Sequence, residues 1–246
     1  MSHTPEELLI VTLADMLRGD RHVAVGAASP IPGAAALLAK SESPQRMHVA
    51  ILHSLSHNPF AEGARELFDA AAQGRIDTFF LGGVQIDGSA NINLVGLGDY
   101  PNLRKRFPGS FGSALMYFAV PRVILFREEH SRRVLVPQVD FISAPGPAAE
   151  DSRRGGGPHA LLTDLALFTF DRERRRFCLE SVHPGHGLDE VIASTGFDFD
   201  RLETVPETPT PDAETLALIR GPVAREIART YPRFAAKLFP DAVAAS

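Results

Sequence analysis

The chain has 246 residues, 44% of them hydrophobic and 22% charged, enough for one large or two small domains and too apolar for a disordered or collagen-like chain. A net charge of -5, a pI near 6.0 and only short basic runs remove the broad positive surface that duplex nucleic acid requires, so no nucleic-acid partner is expected. A single cysteine, Cys178, allows neither an internal disulfide nor a cysteine-held zinc, and the polar, acidic Met1 to Glu7 lacks the form of a signal peptide. No apolar run approaches the ~20 residues of a bilayer span. A cytoplasmic protein without membrane contact is therefore expected.

The first helix is marked by Thr4 as N-cap, Pro5 at the first helical position, Glu7 three residues after the cap, and Leu9, Leu13, Met16 and Leu17 at helical spacing, with Gly19 as its stop. His22 to Gly26 reads as a short buried strand, and Ser29, Pro30, Pro32 and Gly33 lead into a helix from Ala34 to Lys40. A strand at Met47 to Leu52, a helix from about Phe60 to Gln73 and a strand at Thr78 to Leu81 repeat the pattern. Such alternation predicts an α/β fold, an open, mostly parallel sheet flanked by helices.

From Gly82 onward glycines multiply and strand-like runs follow at Arg122 to Phe126, Val134 to Ile142, Leu161 to Phe170 and Phe177 to Val182, so the second half of the sheet is expected to be mixed, with hairpins. Ala144 to Pro158 is too rich in Gly, Pro and charge to fold by itself and is read as a flexible excursion within a single domain spanning residues 1–246. A short helix at Leu188 to Ser194, a proline-rich link at Pro206 to Pro211 and a helix from Asp212 to about Thr230 complete the chain, with no internal repeat.

Two loops carry chemical promise. Phe79 to Gly98 places Gly82 and Gly83 at a strand end, where ligands gather in open α/β sheets, and follows them with Gln85, Asp87, Asn91 and Asn93. Backbone without Cβ can approach an anionic or carbonyl group there; ordinary turn chemistry explains the same residues equally well. Arg106 to Ser113 is a Gly/Ser loop preceded by Arg104, Lys105 and Arg106, which suits a phosphate-bearing ligand but is neither a Walker loop nor a dinucleotide fingerprint. His183 with His186, and His53 with His57, have the look of paired metal ligands, yet neither pair has an acidic or cysteine ligand beside it, and no metal is expected. Cys178 lies in an apolar strand pattern and reads as a buried, inert thiol.

These segments together resemble the β subunit of class I CoA-transferases, glutaconate CoA-transferase type. The resemblance runs through VAVGAASPIPGA (Val23 to Ala34), LGGVQIDGSANIN (Leu81 to Asn93), FPGSFGS (Phe107 to Ser113), VDFISAPG (Val139 to Gly146), LLTDLALFTFD (Leu161 to Asp171) and SVHPGHGLDEVIASTGFDFD (Ser181 to Asp200). It implies a homologous α subunit in a heterodimer or heterotetramer, an active site at the subunit interface, and an acyl-CoA substrate, with coenzyme A entering as part of that substrate and no cofactor. It also implies that Gly82, Gly83, Gln85 and Asn93 line the thioester pocket and that Gly109 and Gly112 contact CoA, although Phe111 and Ser113 stand where the family commonly has Gly and Ala.

The family's nucleophile is a glutamate in a Glu-x-Gly motif, and the corresponding stretch, His48 to Phe60, reads HVAILHSLSHNPF without any acid. Leu52, His53 or Ser54 takes its place, and the nearest carboxylate, Glu62, lacks the motif. No glutamyl-CoA intermediate can form there. His53 and Ser54 are the candidates for catalysis, as a base and a hydroxyl; a strand-end histidine bonded to its own loop is the plainer reading of His53. CoA transfer between carboxylic acids is the expected activity. Acyl-CoA hydrolysis, ring cleavage or decarboxylation on the same scaffold, a non-catalytic CoA-ester-binding subunit, and a phosphosugar sensor of the ribose-phosphate isomerase-like fold are the alternatives, the last disfavoured by the lack of a DNA-binding appendage.

Overall fold

The computed structural model describes residues 2–43, 47–148 and 154–244. They fall into two compact units, those within 1–66, 75–79 and 209–246 in one and those within 67–74 and 80–208 in the other.

The first unit opens with helix α1 (Pro5–Met16), whose predicted capping box is present: Glu7 N–H donates to Thr4 Oγ1 (3.2 Å) and Thr4 N–H to Glu7 Oε2 (2.8 Å). Strand β1 (His22–Val25), helix α2 (Pro30–Glu42) and strand β2 (His48–Ile51) follow. Helix α2 begins at Pro30 rather than at Ala34 because proline's fixed φ suits the first helical turn, where its missing N–H costs nothing. Strands β1 and β2 pair in parallel from His22↔His48 to Val25↔Ile51. Helix α3 (Ala64–Ala72), which passes into the second unit at Leu67, starts later than Phe60, and strand β3 (Thr78–Leu81), fully buried, pairs in parallel with β1 through Thr78 and Phe79 before it too enters the second unit.

In the second unit, β4 (Gln85–Ile86) and β5 (Ile92–Asn93) make an antiparallel hairpin, and β6 (Gly96–Leu97) and β7 (Lys105–Arg106) make another. Helix α4 (Ser113–Ala119) leads into β8 (Arg122–Phe126), which pairs in parallel with β9 (Pro158–Leu162). Strands β10 (Ala166–Asp171) and β11 (Arg176–Val182) continue antiparallel, then helix α5 (Leu188–Ser194) leads to β12 (Asp200–Arg201), parallel to β11. Across the sheet the strand order is β12-β11-β10-β9-β8-β3-β1-β2, an α/β architecture that is parallel in its first half and mixed in its second. Phe168 and Phe177, both fully buried, anchor this core, and Phe170 meets Phe177 edge to face at 4.9 Å; each such ring stabilises by about 1.5–3 kcal/mol.

Two expected strands need correction. Val134 to Ile142 forms none: its backbone ladder to β4 among the described residues is confined to Ile86, whose N–H donates to Val134 O and whose carbonyl accepts from Val136 N–H, and Asp140 N–H then turns to the Gln85 side chain instead of a backbone carbonyl. Leu161 to Phe170 is two strands, because Thr163 turns the chain and bonds back to Ala166. Residues 149–153 of the expected excursion lie outside the described residues, and its last residue, Pro158, already belongs to β9.

The chain returns to the first unit with α6 (Ala213–Leu218), a π-helical turn at Ile219–Val223, α7 (Ala224–Ala228), α8 (Pro232–Leu238) and α9 (Pro240–Ala244). The expected single helix from Asp212 is thus divided, since Pro222 cannot donate to the preceding turn and a wider turn absorbs the defect. Arg220 in that turn reaches back to Glu7 at 2.6 and 2.8 Å. Burial would raise the Glu7 carboxyl pKa, but the hydrogen bonds from Arg220 and the Thr4 N–H outweigh it and hold the group below the usual carboxylate range.

Candidate functional site

In the first unit, the carboxyl end of β2 runs into a tight turn. Leu52 N–H extends the ladder to Val25 O (3.0 Å), Ser54 N–H turns back to Ile51 O (3.1 Å), and Ile51 N–H is closed by His57 O (2.9 Å). His53 sits at the bend with φ +68, exposed, its ring without a hydrogen-bond partner among the described residues. Ser54 is buried, and its Oγ accepts from Thr230 Oγ1 (2.8 Å), His57 N–H (3.1 Å) and Ser56 N–H (3.3 Å). The two residues singled out for catalysis therefore differ in kind: the His53 ring is unoriented, whereas Ser54 anchors the turn, with its lone pairs engaged.

The same turn contains His57, which the sequence offered only as half of a possible metal-ligand pair with His53. His57 places Nε2 2.7 Å from Glu226 Oε1 on α7, with the two side chains 13% and 30% exposed. Its partner is 169 positions away, so no local spacing could have revealed the pair.

In the second unit, β3 ends at Leu81 and Gly82–Gly83 carry the chain into the β4–β5 hairpin. Gly82 is exposed; at Gly83 a Cβ would lie 2.8 Å from Gln85 O and 2.9 Å from Ile92 Cγ2, which explains the residue by close packing. Asp87 shapes the hairpin tip, its carboxylate accepting from Ser89 N–H, Asn91 N–H and Asn91 Nδ2 at 3.0–3.1 Å. Gln85 and Asn93 face each other across the hairpin: Asn93 Nδ2 donates to Gln85 Oε1 and to Gly96 O, both at 2.7 Å, while Asn93 Oδ1 accepts from Val95 N–H and Gly96 N–H. Gln85 Oε1 also accepts from Asp140 N–H (2.9 Å). Asn93 is fully committed inside the fold, and the Gln85 amide NH₂ is the donor of the pair that has no partner among the described residues and is not sealed from solvent.

The second loop also belongs to this unit. Arg104, Lys105 and Arg106 are exposed, Lys105 Nζ lies 5.2 Å from the centre of the Phe107 ring, and Gly109 at φ +107 has open space on its Cβ side. Gly112 is different, because a Cβ there would fall 2.0 Å from the Phe68 ring. One glycine serves a left-handed turn, the other the packing of the loop on α3, and the loop thus presents cations and backbone at a fixed curvature.

Three further histidines are structural. His183 donates from Nε2 to Thr163 O (2.9 Å) and takes the Thr208 hydroxyl on Nδ1 (2.8 Å), while His186 pairs with Glu190 on the surface at 3.0 Å; the two do not converge. His130 is held by Thr163 at 2.7 Å and Thr195 at 2.9 Å, and burial lowers its pKa to about 4. Among the described residues no three His, Cys, Asp or Glu side chains gather as a metal site. Cys178, half-buried, has its thiol pushed up by burial and then by the nearby Asp200. No helix among the described residues is long and apolar enough to cross a membrane.

Known proteins similar to this chain fall in one family. Residues 7–194 match the family model described as coenzyme A transferase. The chain is 33% identical over 161 residues to one of the subunits of the 3-oxoadipate CoA-transferase of Pseudomonas knackmussii, the alignment spanning 63% of this chain and 62% of that one. It is 26% identical to one of the subunits of the glutaconate CoA-transferase of Acidaminococcus fermentans, over 89% of this chain and 92% of the relative. A cholesterol ring-cleaving hydrolase IpdB subunit of Rhodococcus jostii is 29% identical over 63% of this chain and 62% of its own length. Among solved structures, the decarboxylase AibA/AibB superposes with a TM-score of 0.78 at 26% identity, covering 96% and 99% of the two chains.

Proposed function

Because the chain belongs to the coenzyme A transferase family, we propose that it is the β subunit of a cytoplasmic, heteromeric enzyme that works on an acyl-CoA thioester together with a homologous α subunit. The single observation that carries the choice of reaction is the turn after β2. Transfer of CoA between carboxylic acids by the family route needs a carboxylate to accept the acyl group, and residues 48–60 contain none. Attack by water needs only a base and a polarised carbonyl, and the turn supplies imidazole instead of carboxylate. Relatives named as a ring-cleaving hydrolase and a decarboxylase support a scaffold that serves chemistry other than transfer.

On this reading the Gln85 amide and the exposed Gly82 backbone face the thioester, with Gly83 and Asn93 holding that pocket in shape, and the loop bearing Gly109 and Gly112 receives the phosphate-bearing arm of CoA beside Lys105 and Arg106. The test is to purify the chain alone and after co-expression with a homologous α subunit, then to follow thiol release from several acyl-CoAs. Turnover by the complex and none by the isolated chain is expected; robust turnover by the isolated chain overturns the heteromeric reading. Treatment of the working complex with hydroxylamine or borohydride should reveal no glutamyl adduct, and a trapped adduct on Glu62 would restore the carboxylate route.

A further inference from the structure

We propose that His57, oriented by Glu226, is the general base of this subunit. The proposal rests on the thioester reading above and names the group that moves the proton. A carboxylate only accepts, so the 2.7 Å contact between His57 Nε2 and Glu226 Oε1 places the neutral ring's proton on Nε2 and leaves Nδ1 as a lone pair. That second nitrogen has no partner among the described residues and is not sealed from solvent. His130 and His183, by contrast, have both ring nitrogens occupied, and His186 pairs with Glu190 one helical turn away on an exposed surface.

The dyad is held from both sides. Ser54 accepts the Thr230 hydroxyl and the His57 backbone N–H, joining the turn after β2 to Thr230, the second residue beyond α7. The π-helical turn Ile219–Val223 immediately precedes α7, and its extra residue per turn resets which face of that helix carries Glu226. Arg229 Nη1, 3.4 Å from the same Glu226 oxygen, is the other charged group at the pair and helps fix the carboxylate in place. A nucleophile or base fixed in its tautomer by a carboxylate is the arrangement of hydrolytic triads, and here it lies at the carboxyl end of parallel strands.

Chemically, Nδ1 takes a proton from water as the water oxygen bonds to the thioester carbonyl carbon. The tetrahedral adduct then expels the thiolate by breaking the C–S bond, and the imidazolium returns its proton to sulfur, giving carboxylic acid and free CoA.

The experiment uses the co-expressed complex with His57→Gln, Glu226→Gln and, as a control for loss of an ordinary His–Glu pair, His186→Gln, each checked by its melting curve. His57→Gln should lower kcat by about 10²- to 10⁴-fold with KM little changed. Glu226→Gln, a change in a positioning residue, should lower kcat less than His57→Gln with KM little changed, because the ring loses the acceptor that fixes its tautomer, and Glu226→Asp should recover part of that loss. His186→Gln should leave kcat intact. A folded His57→Gln or Glu226→Gln complex with wild-type kcat overturns the dyad while leaving the thioester reading in place; a wild-type complex that leaves every acyl-CoA intact overturns the reading itself, and the dyad with it.

Discussion

At Gly112 an added methyl would lie 2.0 Å from the Phe68 ring, whereas three residues earlier Gly109 offers open space and only a left-handed φ of +107. Gly112→Ala must displace a packed aromatic ring and should cost about 1–3 kcal/mol beyond any backbone strain, while Gly109→Ala carries the strain alone, about 1–3 kcal/mol. Urea midpoints should therefore fall in both variants. Neither substitution isolates CoA binding, but Lys105→Glu and Arg106→Glu do, since both side chains are exposed and disturb no core. Calorimetry on the complex should show weakened binding of a CoA ester in these variants with an unchanged melting temperature, and full affinity would remove the loop from the site. Glycine pattern alone made these two positions look alike; their different neighbours, one of them a ring on α3, are a tertiary fact.

At the scale of elements, two buried histidines tie the second unit together. His183 joins the turn at Thr163 to the segment at Thr208, and His130 joins Thr163 to Thr195 at the end of α5. Burial lowers both pKa values, that of His130 to about 4. The unfolded chain titrates these rings near 6.5 and so binds more protons than the folded one below that pH. Their contribution is fully present above about pH 6.5 and is lost as pH falls toward 4. The urea midpoint should accordingly drop between pH 7.5 and pH 5, and a His130→Gln variant, weaker at pH 7.5, should show a shallower drop; equal slopes would mean that other groups carry the acid sensitivity. The elements themselves were largely legible: Thr4, Pro5 and Glu7 marked α1, and short buried runs marked β1, β2, β3 and β8. What escaped were features set by non-local partners. Val134 to Ile142 has strand composition but shares backbone ladder bonds with β4 at Ile86 alone among the described residues, β12 is two residues long, and the π-helical turn depends on how Pro222 is accommodated. His57 looked like half of a sequence pair with His53, whereas its partner is Glu226.

For the whole molecule, the proposed chemistry on the family scaffold releases CoA to water rather than passing it to a second carboxylic acid. The chain's apolar surface agrees with a role inside a heteromer: Phe111 is 79% exposed, and Leu115 and Phe118 follow at helical spacing on and beside α4. Phe111→Glu with Leu115→Glu should reduce recovery of the co-purified α subunit while the chain itself still melts cooperatively, and undiminished recovery would place the subunit contact elsewhere. The most direct test of the central claim is the dependence of CoA release on an acceptor. Free CoA from the purified complex should appear at the same rate with and without added carboxylic acid; release that requires the acid, with CoA found on that acid, would contradict it.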